Sequence, residues 1–203
     1  MLDHIFTEAI AALRDGLEGA MLEPQLAEER LLVDVLAGDL TWQTSYSLPG
    51  EGEPPRVRAD LTLEWSTWSQ AAYRSWRLGE PLVEPTRVGL ELVVRLQRLA
   101  AAADPDQIIS SLVPMPWWGT ALDLERTGPR LETTLDSDLG EPEHAIEIGW
   151  EGGFGLDEAL LSDPSRLDGR FADIGGWIAA TLVRLADLRL VFLPPDAEDS
   201  DGD

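Results

Sequence analysis

The chain has 203 residues, a formal net charge of −23 and no cysteine. That length holds one domain, or one with an appendage, and 44% apolar residues argue against global disorder. The lack of thiols excludes disulfides, thiolate metal sites and a cysteine nucleophile, and the negative field opposes nucleic acid and anionic membrane, whose phosphates need cations.

From the N-terminus, Leu2, Ile5, Phe6, Ala9, Leu13 and Leu17 form a stripe at helical spacing, which predicts an amphipathic helix over 2–20. Its polar face is acidic, so docking on the protein is expected rather than a membrane surface. Residues 30–37 read as a strand and Gly38-Asp39 as a turn. Residues 40–48 alternate, with Leu40, Trp42, Thr44, Tyr46 and Leu48 on one side. PGEGEPP at 49–55 is a loop, and 56–65 alternates again, with Val57, Ala59, Leu61, Leu63 and Trp65 together. Three such segments in succession predict an antiparallel meander.

The period changes at Trp65. Trp65, Trp68, Ala72 and Trp76 share a helical face, which predicts a helix over 68–78. Thr67 and Gln70 match a capping box, and Gly79 fits the position just past the helix end. The rings have two readings: core residues that close the sheet, or a ligand or partner surface. In the second, Arg74 and Arg77 supply anion or cation–π contacts.

Residues 86–103 carry both periods. Their length and the alanine run at 100–103 favour a helix. Asp104-Pro105 begins a short helix to about Val113. PMPWWGT at 114–120 is a stiff loop whose adjacent Trp117 and Trp118 point opposite ways, one into the core and one outward as a partner anchor. Residues 121–126 and 130–136 read as strands joined by Thr127-Gly128-Pro129, and 144–150 as another. EGGFGLDE reads as a flexible turn, with Asp157 capping a short helix. Phe171, Ile174, Ile178, Leu182 and Leu185 predict a second amphipathic helix over 168–187, with Asp168 as its expected N-cap. LRLVFLPP reads as a last short strand.

The expected fold is α+β: an antiparallel sheet of five to seven strands, with an N-terminal helix, central helices and a C-terminal helix on one face. Residues 1–193 read as a single domain and 194–203 as a disordered acidic tail.

Chemistry-bearing motifs are few. His4 and His144 are 140 positions apart, which argues against a transition-metal site. His144 begins a strand on its apolar side, where a hydrogen-bonded structural role is expected. Asp136, Asp138, Glu141 and Glu143 cluster near Gly140, but an EF-hand loop would need glycine where Glu141 stands. No phosphate loop or nucleophile elbow occurs, and 38 acids make so many pairs that none is informative. No cofactor is expected.

The chain therefore reads as a non-catalytic acidic interaction protein that meets a basic protein partner, of adaptor, chaperone-like or immunity/inhibitor type. The alternative is a protein or enzyme that binds an apolar or sugar-like molecule in a pocket lined by Trp65, Trp68 and Trp76. Pairing through a sheet edge or the Trp face makes a homodimer a further expectation. The first 25 residues have no basic leader region and no run of about 18 apolar residues occurs, so a cytoplasmic location is expected.

Overall fold

Alternating apolar and polar residues pair edge to edge, each strand satisfying its neighbour's backbone groups. The computed structural model describes residues 15, 25–33, 38–48, 54–83, 85–115, 122–135, 142–163 and 168–194. Strands β1 (Gln25–Val33), β2 (Leu40–Ser47) and β3 (Val57–Trp65) form the expected meander. There follow α1 (Thr67–Arg77), β4 (Thr86–Leu99), α2 (Pro105–Ser111), β5 (Leu122–Arg126), β6 (Arg130–Leu135), β7 (Pro142–Leu156), α3 (Glu158–Ser162) and α4 (Asp168–Ala186). The sheet is antiparallel throughout, in the order β1-β2-β3-β4-β7, with β5 and β6 both beyond β7. These elements make the protein α+β. Strand β1 starts five residues before the expected position. The predicted helix over 2–20 (apart from Asp15, which is helical), residues 34–37 of the first predicted strand, and the acidic tail from 195 on lie outside the described residues.

Strands β5 and β6 do not pair with each other. Strand β5 pairs with residues 150–154 of β7 and β6 with residues 142–147, so they are two collinear halves of one edge. The break falls at Thr127-Gly128-Pro129, where proline can donate no ladder hydrogen bond. The Thr127 amide still donates to the Gly149 carbonyl at 2.9 Å.

The predicted helix over 86–103 is overturned: β4 is a strand of 14 residues. Val88, Leu90, Leu92, Val94 and Leu96 are all buried, and strands lie on both sides of them. Leu92, for example, lies between Leu61 of β3 and Trp150 of β7. The helical stripe Val88, Leu92, Leu96 is a subset of this alternation and could not tell the two apart. Tertiary pairing decided the case, and the alanines of 100–103 fall beyond the strand.

The predicted turn at 151–156 is also strand, continuous with β7. Gly153 stands opposite Gly89 of β4, and a Cβ on Gly153 would sit 2.4 Å from the Val88 carbonyl oxygen. Gly153 thus permits a close backbone approach rather than a turn.

One face of the sheet forms the core. Val57, Ala59, Leu61 and Leu63 of β3 are buried there with Ile146, Ile148, Trp150 and Phe154 of β7. Helix α4 buries the predicted stripe Phe171, Ile174, Ile178, Leu182 and Leu185 in the same cluster. Its rings meet β7 edge-on, Phe171 with Phe154 at 5.6 Å and Trp177 with Trp150 at 5.0 Å. Such pairs contribute about 0.5–1.5 kcal/mol each beyond area burial. Asp104 and Asp157 cap α2 and α3 by accepting from the Asp106 and Leu160 amides.

Near its end β4 bulges between Leu96 and Leu99, and Arg98 adopts φ +61°. Left-handed backbone costs a non-glycine residue about 1–2 kcal/mol. Hydrogen bonds surround the strained residue. Its amide donates to Glu143 at 3.0 Å, and its guanidinium donates to the Pro54 and Pro194 carbonyls. Residues 191–193 are tied on by the Ala100 amide to the Val191 carbonyl and the Leu193 amide to the Arg98 carbonyl. The last stretch is thus an isolated bridge, Leu99 to Phe192, rather than the predicted short strand.

The close approach of β4 and β7 gives a contrast measurable by urea unfolding. Gly153→Ala is expected to destabilise the fold by about 3 kcal/mol, because backbone must move to admit the methyl. Gly128→Ala, with nothing within 4 Å of the added carbon, is expected to change stability by less than about 0.5 kcal/mol.

Candidate functional site

The strand-to-helix junction at Trp65 is where expected, but the cap sits one residue earlier than Thr67. Ser66 is extended and its hydroxyl accepts from the Ser69 amide at 3.3 Å. Gln70 reaches back, as a capping-box amide does, but donates to the Trp65 and Gly38 carbonyls at 2.9 and 3.0 Å. At the other end Gly79 has φ +92°, its amide donates to Trp76 and the Glu80 amide to Ser75. Those two bonds close a Schellman motif.

The helix turns Ser69, Gln70 and Tyr73 inward, and Trp68 outward. Trp65 is fully enclosed and meets Tyr73 at 5.7 Å. Tyr73 stacks on half-buried Trp76 at 6.1 Å. Trp68 is 75% exposed. The three rings named from the sequence therefore do not share one surface. Arg74 and Arg77 are exposed on α1, and Arg74 donates to Gln70 at 3.4 Å. A cation–π contact forms elsewhere, with Arg56 over Phe192 at 5.2 Å. Trp117 and Trp118 lie outside the described residues.

Trp68 borders a groove of about 380 Å³ between α1 and the chain that leads into β4. Ala72 and Ser75 form one wall, and Pro81, Leu82 and Val83 the other, with Glu80 among the lining residues. Neither Trp65 nor Trp76 lines it. Val83 is almost fully exposed. A large ring over an apolar furrow is a surface that gains by being covered.

The sheet face opposite the core carries the charge. In the pairing register, Glu91 of β4 stands beside Glu151 of β7, and Glu151 beside Glu125 of β5. All three are exposed. Neighbouring strands lie about 4.8 Å apart, so three carboxylates form one row. Among the described residues no cation pairs with them. Like charges at facing positions destabilise a sheet. Sequence reading did not find this row, because its members are 34 and 26 positions apart (91 to 125, 125 to 151) and only the register joins them.

Farther along the same face, charges are paired. Arg95 of β4 forms ion pairs with Glu147 of β7 and Glu132 of β6, the latter at 2.9 Å. Arg130 joins the group at 3.2 Å from Glu132. Burial pushes the Arg95 guanidinium down, but hydrogen bonds and charge from Glu147 and Glu132 outweigh it and hold the group above its ordinary value. The cluster spans β4, β7 and β6, so it staples the edge strand to the sheet.

His144 is half-buried, with Nδ1 3.0 Å from the Thr133 hydroxyl oxygen. His4, Asp136, Asp138 and Glu141 lie outside the described residues, while Glu143 accepts from the Arg98 amide. Among the described residues no group of three His, Asp or Glu side chains is placed to hold a metal ion, and no helix is long and apolar enough to cross a membrane.

Relief of repulsion in the carboxylate row is measurable. Glu151→Gln is expected to stabilise the protein by about 0.5 kcal/mol at low ionic strength, and the gain should vanish near 1 M salt, where screening acts within about 3 Å. Paired urea titrations at both salt levels check it. No protein-family model, curated protein or solved structure matches the chain.

Proposed function

We propose that this is a non-catalytic interaction protein that docks a basic protein partner, with Trp68 and its groove as the anchor. The exposure of Trp68 beside an apolar furrow carries this reading. Buried, such a ring contributes strongly to binding, and tryptophan is among the side chains that dominate interface energies. The sign of the partner follows from the charge. The chain is −23 overall, and its open sheet face carries an unpaired row of glutamates among the described residues. A partner that presents an apolar side chain flanked by arginine or lysine satisfies both features. Its approach is steered by the field, and its affinity comes from the groove.

The role asked of the protein is adaptor-like, chaperone-like or inhibitory: to hold a basic surface and shield it. Such a role needs no nucleophile, base or metal.

The test uses the full chain as bait, with the Trp68→Ala variant beside it, at ionic strengths of about 0.05 and about 0.5 M. Specific capture is expected at the lower salt, falling at least tenfold at the higher. Trp68→Ala should lose about 2 kcal/mol of binding at either salt while its unfolding midpoint stays near that of the parent, because the ring is largely solvent-exposed. Capture that ignores both salt and the Trp68 substitution would sink the proposal.

A further inference from the structure

The edge strand β6 carries two apolar side chains that the fold leaves in solvent. Leu131 is 55% exposed and Leu135 79%. Both lie on the core side of the sheet, where Leu131 stands beside Ile146 and Thr133 beside His144. Among the described residues β6 pairs with β7 alone, and no other described strand lies along its far side. Exposed edges of this kind recruit another strand unless they are blunted. The opposite edge is β1, which is kinked by a register shift between Leu26 and Glu28. Strand β6 is regular over its six pairs and is pinned by the Arg95 staple.

We infer that β6 pairs antiparallel with β6 of a second copy of this chain, about a two-fold axis at Thr133. Facing residues in an antiparallel ladder share a face of the sheet, so only registers that match odd with odd positions are allowed. Centring on Thr133 sets Leu131 against Leu135 of the second copy, twice by symmetry, and Glu132 against Thr134. Two apolar pairs and a Thr–Thr pair result, each favourable in a ladder. Centring on Glu132 sets that carboxylate against itself and leaves Leu131 facing Thr133 and Leu135 facing Pro129. The Thr133 register is therefore self-complementary, as an isologous contact must be, and it extends the sheet across both copies. The pairing is independent of the Trp68 groove, so each can fail without the other.

Six residues per copy bury little area, and two chains of −23 repel each other. The dimer is therefore weak, and it strengthens as salt screens the repulsion. Sedimentation velocity on the full chain at about 0.5 M ionic strength, over a concentration series reaching about 0.5 mM, reads it. A concentration-dependent dimer is expected. Leu131→Lys and Leu135→Glu should each weaken it at least tenfold. The double variant should return to within about threefold of the parent, because each lysine then faces a glutamate of the second copy. Both positions are exposed, so the fold is expected to survive. Amide exchange in the parent gives a second readout, with protection over 130–135 rising with concentration. A parent that stays monomeric, single variants without effect, a double variant that fails to recover, or exchange that is independent of concentration would each overturn the inference.

Discussion

The pairing of β4 with β7 is the constraint on which the rest of the structure depends. These are the two longest strands, with 14 and 15 residues. Strands β1 and β2 reach β4 through β3, and β5 and β6 reach it through β7. The core follows from the same register, since it lines up Leu92 with Trp150, Val94 with Ile148 and Leu96 with Ile146 on the face that receives α4. It also lines up Glu91 with Glu151 on the other face. Core and acidic row are thus two sides of one alignment. A slip of one residue would expose the first and bury the second.

The meander at 40–65, the break at Trp65, the caps at Asp104 and Asp157 and the stripe of α4 were legible in the sequence, because each rests on local periodicity or a local hydrogen bond. Residues 86–99 were not. Their alternation contains a helical stripe, and only the strands on both sides resolve the ambiguity. Gly152-Gly153-Phe154-Gly155 suggested a turn, because glycine marks both turns and crowded strands. The need for glycine at 153 comes from Val88, 65 positions earlier (153 − 88).

The candidate site was legible in kind but not in membership. The groove borders the Trp stretch through Trp68 alone, whereas three rings on one helical face were the expectation. Helix α1 instead turns Ser69, Gln70 and Tyr73 inward. Trp65 then belongs to the core, Trp76 leans on Tyr73, and Trp68 alone of the three stands clear. The acidic row could not be read from spacing, since it exists only once three strands are in register.

The order of the strands bears on how the protein is made. Synthesis delivers β1 to β4 first, and these pair with their sequence neighbours. The second partner of β4 is complete only at Leu156, 57 residues after Leu99 (156 − 99). At about 5–20 residues per second that interval is roughly 3–11 s. Hairpins close in microseconds, so a meander with β4 as its open edge waits on the ribosome for β7. Its apolar face, Val88 to Leu96, waits longer still for α4, which begins at Asp168. Part of the cost of placing the longest ladder between distant segments therefore falls on the nascent chain, as a period of exposure that the finished fold no longer shows.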